Sequence, residues 1–287
     1  MLKIGIESVG YFKYKENEAM GLEKAKSHGY DCLDYGDFTS PTSPLLNLPM
    51  KDYEKYLVGL KNEADRIGIE FNQAHGLWLM DEKDLAERKS NIEYYKKQIV
   101  GCAALGCHNL VIHPCCPGGW VWTGERDDKQ LTLEGNLQVV ESTLPIAKEH
   151  NVVICLENLP FQYYSLASTS AVKELVRLID DKNVKICFDT GHSNCMKEDI
   201  YETVKLIGDD LACLHIHDDK NRQDRHMIPF FGDIDWEGFT KGLKEISFNG
   251  VISLETVISP KLPEPMRETM QRSLAGVARY LASKVQE

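Results

Sequence analysis

Short runs of β-branched and apolar residues recur along the chain, each followed by a longer stretch in which apolar positions return every three or four residues. The runs near Lys3 to Glu7, Cys32 to Tyr35, Glu70 to Ala74, Asn109 to His113, Val152 to Leu156, Val184 to Phe188, Ala212 to Ile216 and Val251 to Leu254 read as strands. The stretches Glu16 to Ser27, Lys51 to Ile67, Lys83 to Leu105, Thr132 to Glu149, Ser170 to Ile179, Asp199 to Ile207, Trp236 to Ile246 and Glu264 to Ser283 read as helices; Tyr53, Tyr56, Leu57, Leu60 and Ala64 show the spacing. Asp235 before Trp236 and the Ser/Thr cluster before Ala171 supply capping signals. Eight strands alternating with eight helices form the pattern of βα units around a parallel sheet. Closure gives every strand two neighbours, so the α/β class expected is a single (β/α)8 TIM barrel rather than a doubly wound sheet. No Pro/Gly/Ser linker or low-complexity tract divides the chain, and one barrel domain over residues 1–287 is expected.

The polar residues that interrupt this pattern fall where the apolar runs end. Strand three ends NQAHG with His75, strand four VIHP with His113, and strand five CLENLP with Glu157. Strand six ends CFDTGHSN with Asp189 and His192, strand seven LHIHD with His215 and His217, and strand eight SLET with Glu255. Burying one unpaired carboxylate is costly, and a salt bridge or helix cap explains any single instance. Six consecutive strand ends of metal-ligand or acid-base type, all at one rim, call for a common cause. A shared divalent cation offsets the desolvation of all of them together.

Strand seven runs straight into the densest such stretch, from Leu211 to Trp236, where His215, His217, Asp218, Asp219, Asp224 and His226 follow one another in a short polar loop. The loop after strand four, PCCPGGWVWTGERDDKQ, is long and carries Trp120 and Trp122. Such βα loops build the sites of barrel enzymes. These tryptophans either cover a substrate or pack against a second subunit; the affinity of indole faces for sugar C–H groups favours the first.

Composition narrows the partners. A formal net charge of −11 argues against DNA or RNA, whose phosphates are gripped by Lys and Arg. No run approaches the roughly eighteen apolar residues of a membrane span. MLKIGIESVG is too short, and too soon followed by charges, for a signal peptide, so a cytoplasmic location is expected. The nine cysteines then read as reduced and mostly buried. Cys155, Cys187 and Cys213 sit inside strands as small hydrophobes, and the adjacent Cys115 and Cys116 read as structural despite nearby candidate ligands.

With these residues assembled, LEN, FDTGH, HxHD and SLET in this order, the chain resembles the xylose-isomerase-like superfamily of (β/α)8 barrels. Within it the resemblance is to the sugar phosphate isomerase/epimerase family that includes D-tagatose 3-epimerase and inositol-catabolism enzymes. It implies a divalent metal (Mn, Mg, Co or Zn) held by Glu157, Asp189, His215 and Glu255, with His192 as the strand-six histidine. More distantly the chain resembles endonuclease IV, whose trinuclear zinc site has further positions matched here by His75, His113, Asp224 and His226 in DRH. Homo-oligomers are common in the family and are an expectation by resemblance.

The leading expectation is an isomerase or epimerase acting on a sugar, sugar phosphate, polyol or keto compound through a metal-stabilised enediolate. The resemblance gives Glu157 and Glu255 the roles of ligand and of base and acid on the two faces of the reacting carbon. His192, His217, Arg222, Trp120 and Trp122 are the expected substrate contacts. The alternative is phosphodiester hydrolysis at a multinuclear zinc cluster completed by His75, His113, His192, Asp224 and His226.

Overall fold

The computed structural model describes residues 1–12, 18–77, 81–82, 85–117, 124–256 and 258–287. The eight expected strands are β1 (Ile4–Glu7), β2 (Cys32–Tyr35), β3 (Glu70–His75), β4 (Asn109–Ile112), β5 (Val153–Glu157), β6 (Val184–Asp189), β7 (Leu211–His215) and β8 (Ile252–Leu254). They form one parallel sheet in the order β8-β1-β2-β3-β4-β5-β6-β7. Ile216 closes it: its N–H donates to Ser253 O at 3.0 Å, and its carbonyl accepts from Glu255 N at 3.0 Å. The sheet is therefore a barrel, and its strand C-termini share one rim.

Among the described residues, eight helices of eight or more residues surround it: α1 (Glu18–His28), α2 (Met50–Ile67), α3 (Leu85–Leu105), α4 (Lys129–Glu149), α5 (Thr169–Ile179), α6 (Ile200–Ile207), α7 (Trp236–Glu245) and α8 (Glu264–Gln286). α2 shows how sequence sets an element. Tyr53, Leu57, Leu60 and Ala64 bury one face, and Gly68 ends the helix in a left-handed conformation (φ 78°) with its N–H on Ala64 O and Asp65 O. Helix starts follow side-chain caps: Asp128, Ser168, Asp199 and Asp235 each accept from backbone N–H groups of the first turn. For α4 the cap moves the start back from the expected Thr132 to Lys129.

Inside the barrel, side chains two residues apart on one strand occupy successive layers. Val111, Cys155, Cys187 and Cys213 pack together below the rim. A Cβ at Gly5 would lie 3.1 Å from Asn72 Oδ1 and 3.3 Å from Ser253 Oγ, so β1 contributes only backbone to this layer. Two residues further on, Glu157, Asp189 and His215 form the layer above and are completely buried.

One feature of the rim was not anticipated. The polar stretch after β7 is an antiparallel hairpin of Asp218–Lys220 with Gln223–Met227. Its turn residues Asn221 and Arg222 both have positive φ (58° and 57°), as a two-residue I′ connection requires. Buried Asp218 fastens the return of the hairpin, accepting from Gly232 N and Trp236 Nε1 at 2.9 Å each. Asp189, besides ending β6, caps the short helix Thr190–Cys195 by accepting His192 N at 2.6 Å. Among the described residues no helix is long and apolar enough to cross a membrane.

Candidate metal centre

Every barrel strand brings a titratable side chain to the rim: Glu7, Asp34, His75, His113, Glu157, Asp189, His215 and Glu255 in chain order. The first two were missed in the sequence. They end or nearly end the runs IGIE and CLDY, so the strand-end rule applied to β1 and β2 finds them.

Glu157, Asp189, His215 and Glu255 each offer a ligand atom, and these atoms lie within 4.8 Å of one another. His215 is held from both sides: Nδ1 lies 2.9 Å from Glu157 Oε1 and 3.4 Å from Glu255 Oε2, and Nε2 lies 2.9 Å from Asp34 Oδ2. Gln73 Nε2 donates to the same Asp34 oxygen at 2.9 Å. With Nε2 on Asp34, Nδ1 faces the carboxylates of Glu157 and Glu255, the carboxylate–histidine arrangement that orients a metal ligand. Among the described residues Glu157 Oε2 and Glu255 Oε2 are buried and accept no hydrogen bond. Two buried anionic oxygens without hydrogen bonds, converging with His215 Nδ1, fit a divalent cation, which would serve all three as a partner.

Two further sets adjoin this one. His75, His113 and Glu157 converge, with His75 Nε2 at 3.4 Å and His113 Nε2 at 3.2 Å from Glu157 Oε2. On the other side His192 Nε2 lies 3.5 Å from Asp224 Oδ2, and His226 Nε2 lies 3.2 Å from Asp224 Oδ1. Backbone carbonyls fix the tautomers: Nδ1 of His75 lies on Gly76 O (3.0 Å), that of His192 on Asn158 O (2.8 Å) and that of His226 on Glu255 O (2.8 Å). Each Nδ1–H donation turns Nε2 toward the cluster. The hairpin places the last pair, and His226 reaches its carbonyl only with φ at 48°.

The charges are mutually supporting. Burial opposes charging Glu157, but His215 and His113 outweigh it and hold the carboxyl well below the usual range. Burial likewise opposes charging Asp189, yet His192 and His217 hold it low. His192 is lifted to about 10 because Asp189, Asp224 and Glu157 overcome its desolvation. Glu7, by contrast, is pushed up to about 8 by burial and by the neighbouring Glu255 and Asp34.

A cleft of about 330 Å³ opens onto the cluster, lined by His75, His113, Glu157, His192, Asp224, His226 and Glu255 and walled by Leu159, Pro160 and Phe161. The remaining expected contacts are placed differently. Arg222 is exposed at the hairpin turn and is not among the residues lining the cleft. His217 is fully buried behind Asp189. Trp120 and Trp122 lie outside the described residues. Cys115 and Cys116 are buried thiols that belong to none of the ligand groupings.

Comparison with known proteins places this rim in a family. The model of the xylose isomerase-like TIM barrel matches residues 22–276. The chain belongs to that family. Among xylose isomerase-like relatives, inosose isomerase of Bacillus licheniformis is 23% identical over 245 residues, covering 83% of this chain and 84% of that protein. The protein named probable endonuclease 4 from the same organism is 29% identical over 214 residues, covering 66% and 68%. Of solved structures, that of a D-tagatose 3-epimerase-like protein superposes with a TM-score of 0.77 at 24% identity, covering 99% and 98% of the two chains. This last likeness is one of fold.

Proposed function

We propose that the protein is a divalent-metal-dependent isomerase or epimerase of a small sugar or related polyhydroxy carbonyl compound. One observation carries the reading: Glu157 and Glu255 each present an unpartnered, buried carboxylate oxygen beside a cleft of about 330 Å³. That is the size of a small-molecule site. The names of the inosose isomerase and epimerase-like relatives support the same class.

Glu157, Asp189, His215 and Glu255 would hold the cation. When bound, it polarises the substrate's carbonyl and acidifies the neighbouring C–H. The residues do the rest. One of Glu157 and Glu255 accepts the carbon-bound proton, and the other delivers a proton to the opposite face or the adjacent carbon. His215, fixed by Asp34, holds its Nδ1 close to both carboxylates. Phe161, Leu159 and Pro160 wall the cleft, and His192 offers Nε2 to a substrate hydroxyl. The test is solvent deuterium incorporation at the reacting carbon across a panel of ketoses and inososes. Wild type incorporates the label; retained incorporation in Glu157→Gln rules out the assignment of Glu157.

A second reading, phosphodiester hydrolysis on a multinuclear centre, is favoured by the convergence of His192, Asp224 and His226 beside the main set. The relative named probable endonuclease 4 supports it. Metal analysis separates the two. About three zinc ions per chain with phosphodiesterase activity favour hydrolysis, and a single exchangeable ion with deuterium exchange favours isomerisation.

A further inference from the structure

His217 lies next to the cluster and is used by neither reading. Its ring is fully buried and lines no part of the cleft, so it is out of reach of a substrate. One of its ring nitrogens lies within 4.8 Å of ligand atoms of His192, Asp224 and His226, which would make it a fourth ligand by proximity. The ring geometry opposes that role. His217 stacks on His226 with centroids 4.1 Å apart and planes 16° from parallel. A metal lies in the plane of each imidazole that binds it, at about 2 Å from the nitrogen. Two nearly parallel stacked planes share no such point.

Nε2 has a partner of its own. His217 Nε2 lies 3.0 Å from Asp189 Oδ2, while Asp189 Oδ1 accepts His192 N at 2.6 Å. Both oxygens of this ligand are thereby fixed in direction, and each still has lone-pair capacity toward a cation. The ring is seated with little freedom. His217 N donates to Thr190 Oγ1 at 3.1 Å, and Thr190 Oγ1 donates to His217 O at 2.7 Å. Gly191 makes the space: a Cβ there would lie 2.0 Å from His217 Cε1. His226 covers the other face.

We propose that His217 is a positioning residue that clamps Asp189 in its ligating orientation through an Nε2–H to Oδ2 hydrogen bond. The inference rests on the metal reading above. Hydrogen bonds to ligating carboxylates typically carry about 10- to 100-fold in metal affinity.

The test is binding of Mn²⁺ to chelator-stripped full-length protein by equilibrium dialysis, with electron paramagnetic resonance reporting the environment of the bound ion. His217→Leu keeps bulk and loses the donor; His217→Gln places an amide nitrogen at the reach of Nε2. Circular dichroism and melting curves establish that each variant is folded, and His217→Met replaces leucine if that variant is not. The expected result is a dissociation constant raised about 10- to 100-fold in the donorless variant, with most of the loss recovered in His217→Gln. Equal binding by all three proteins overturns the clamp and leaves the metal reading standing. Equal weakening in both variants also overturns it, because packing of the ring rather than its donor then matters. Absence of Mn²⁺, Co²⁺ and Zn²⁺ binding by wild type removes the metal reading and the clamp with it.

Discussion

Two layers of the same barrel, one residue pair apart, carry opposite chemistry. On β5, β6 and β7 the residues Cys155, Cys187 and Cys213 lie directly before Glu157, Asp189 and His215 on the inward face. Both layers are buried, so burial does not distinguish them. In the lower layer it is the leading cause and, with neighbouring thiols, pushes all three thiols well above their usual pKa, leaving them neutral and packed with Val111. In the upper layer opposite charges overcome it, and the carboxylates of Glu157 and Asp189 stay ionised beside charged imidazoles. Soft thiolate ligands are thus kept out of reach, and the rim offers oxygen and imidazole nitrogen to a cation. The lower layer is a floor, and the upper layer is the site.

If this division is correct, substitutions in the upper layer act on activity and those below act on stability. The largest effect is expected for Glu157→Gln and Glu255→Gln, each removing a proton-transferring group worth about 10²- to 10⁴-fold in kcat. Steady-state rates on the substrate identified by deuterium exchange check this, and a loss under tenfold in both variants would break the comparison. Next comes Asp34→Asn, which weakens the acceptor that holds His215 Nε2. Metal affinity measured by calorimetry is expected to fall about 10-fold or more with the fold intact.

Asp34 also shows where the sequence could be read and where it could not. Strand ends and ligand types are local properties, and the six rim residues from His75 to Glu255 follow from the alternation of apolar runs alone. Glu7 and Asp34 carry the same signal in IGIE and CLDY, but a search begun at the third strand passes over them. The hairpin after His215 is a different matter. Its pairing depends on left-handed backbone at Asn221, Arg222 and His226, which residue types of moderate tolerance do not announce. The tautomers of His192 and His226 depend on carbonyls of Asn158 and Glu255, 34 and 29 residues away in the chain. No periodicity encodes such contacts. Arg222, expected in a loop, stands exposed at the hairpin turn.

The charge balance of the upper layer gives a pH signature. In metal-free protein the pKa of His192 is lifted from 6.5 to about 10, since Asp189, Asp224 and Glu157 outweigh its burial. A raised folded-state value contributes stability that is complete below the unfolded value and lost as pH rises through the folded one. Melting temperature of chelator-treated protein is therefore expected to decline between pH 6.5 and about 10. His192→Asn should flatten the slope. Added cation competes with the proton on His215, one of the four residues that would hold it, so its stabilising effect should fall as pH is lowered. A flat profile in wild type would mean that His192 is neutral and that the ion pairs around Asp224 are not formed.

The smallest effect is expected in the floor, and it is the most direct test of whether the layers are independent. Cys187→Ala removes one sulfur from a packed group and leaves a void smaller than a methylene pair, at a cost of about 1 kcal/mol. For a chain of this size that lowers Tm by roughly 2–4 °C. Asp189, two residues along β6, is held by hydrogen bonds from His192 N and His217 Nε2 rather than by the thiol below it. Metal affinity and turnover should therefore stay at wild-type values. A tenfold loss of either in Cys187→Ala, at unchanged secondary structure, would show that the thiol layer sets the height of the carboxylates, and the floor would then have to be counted as part of the site.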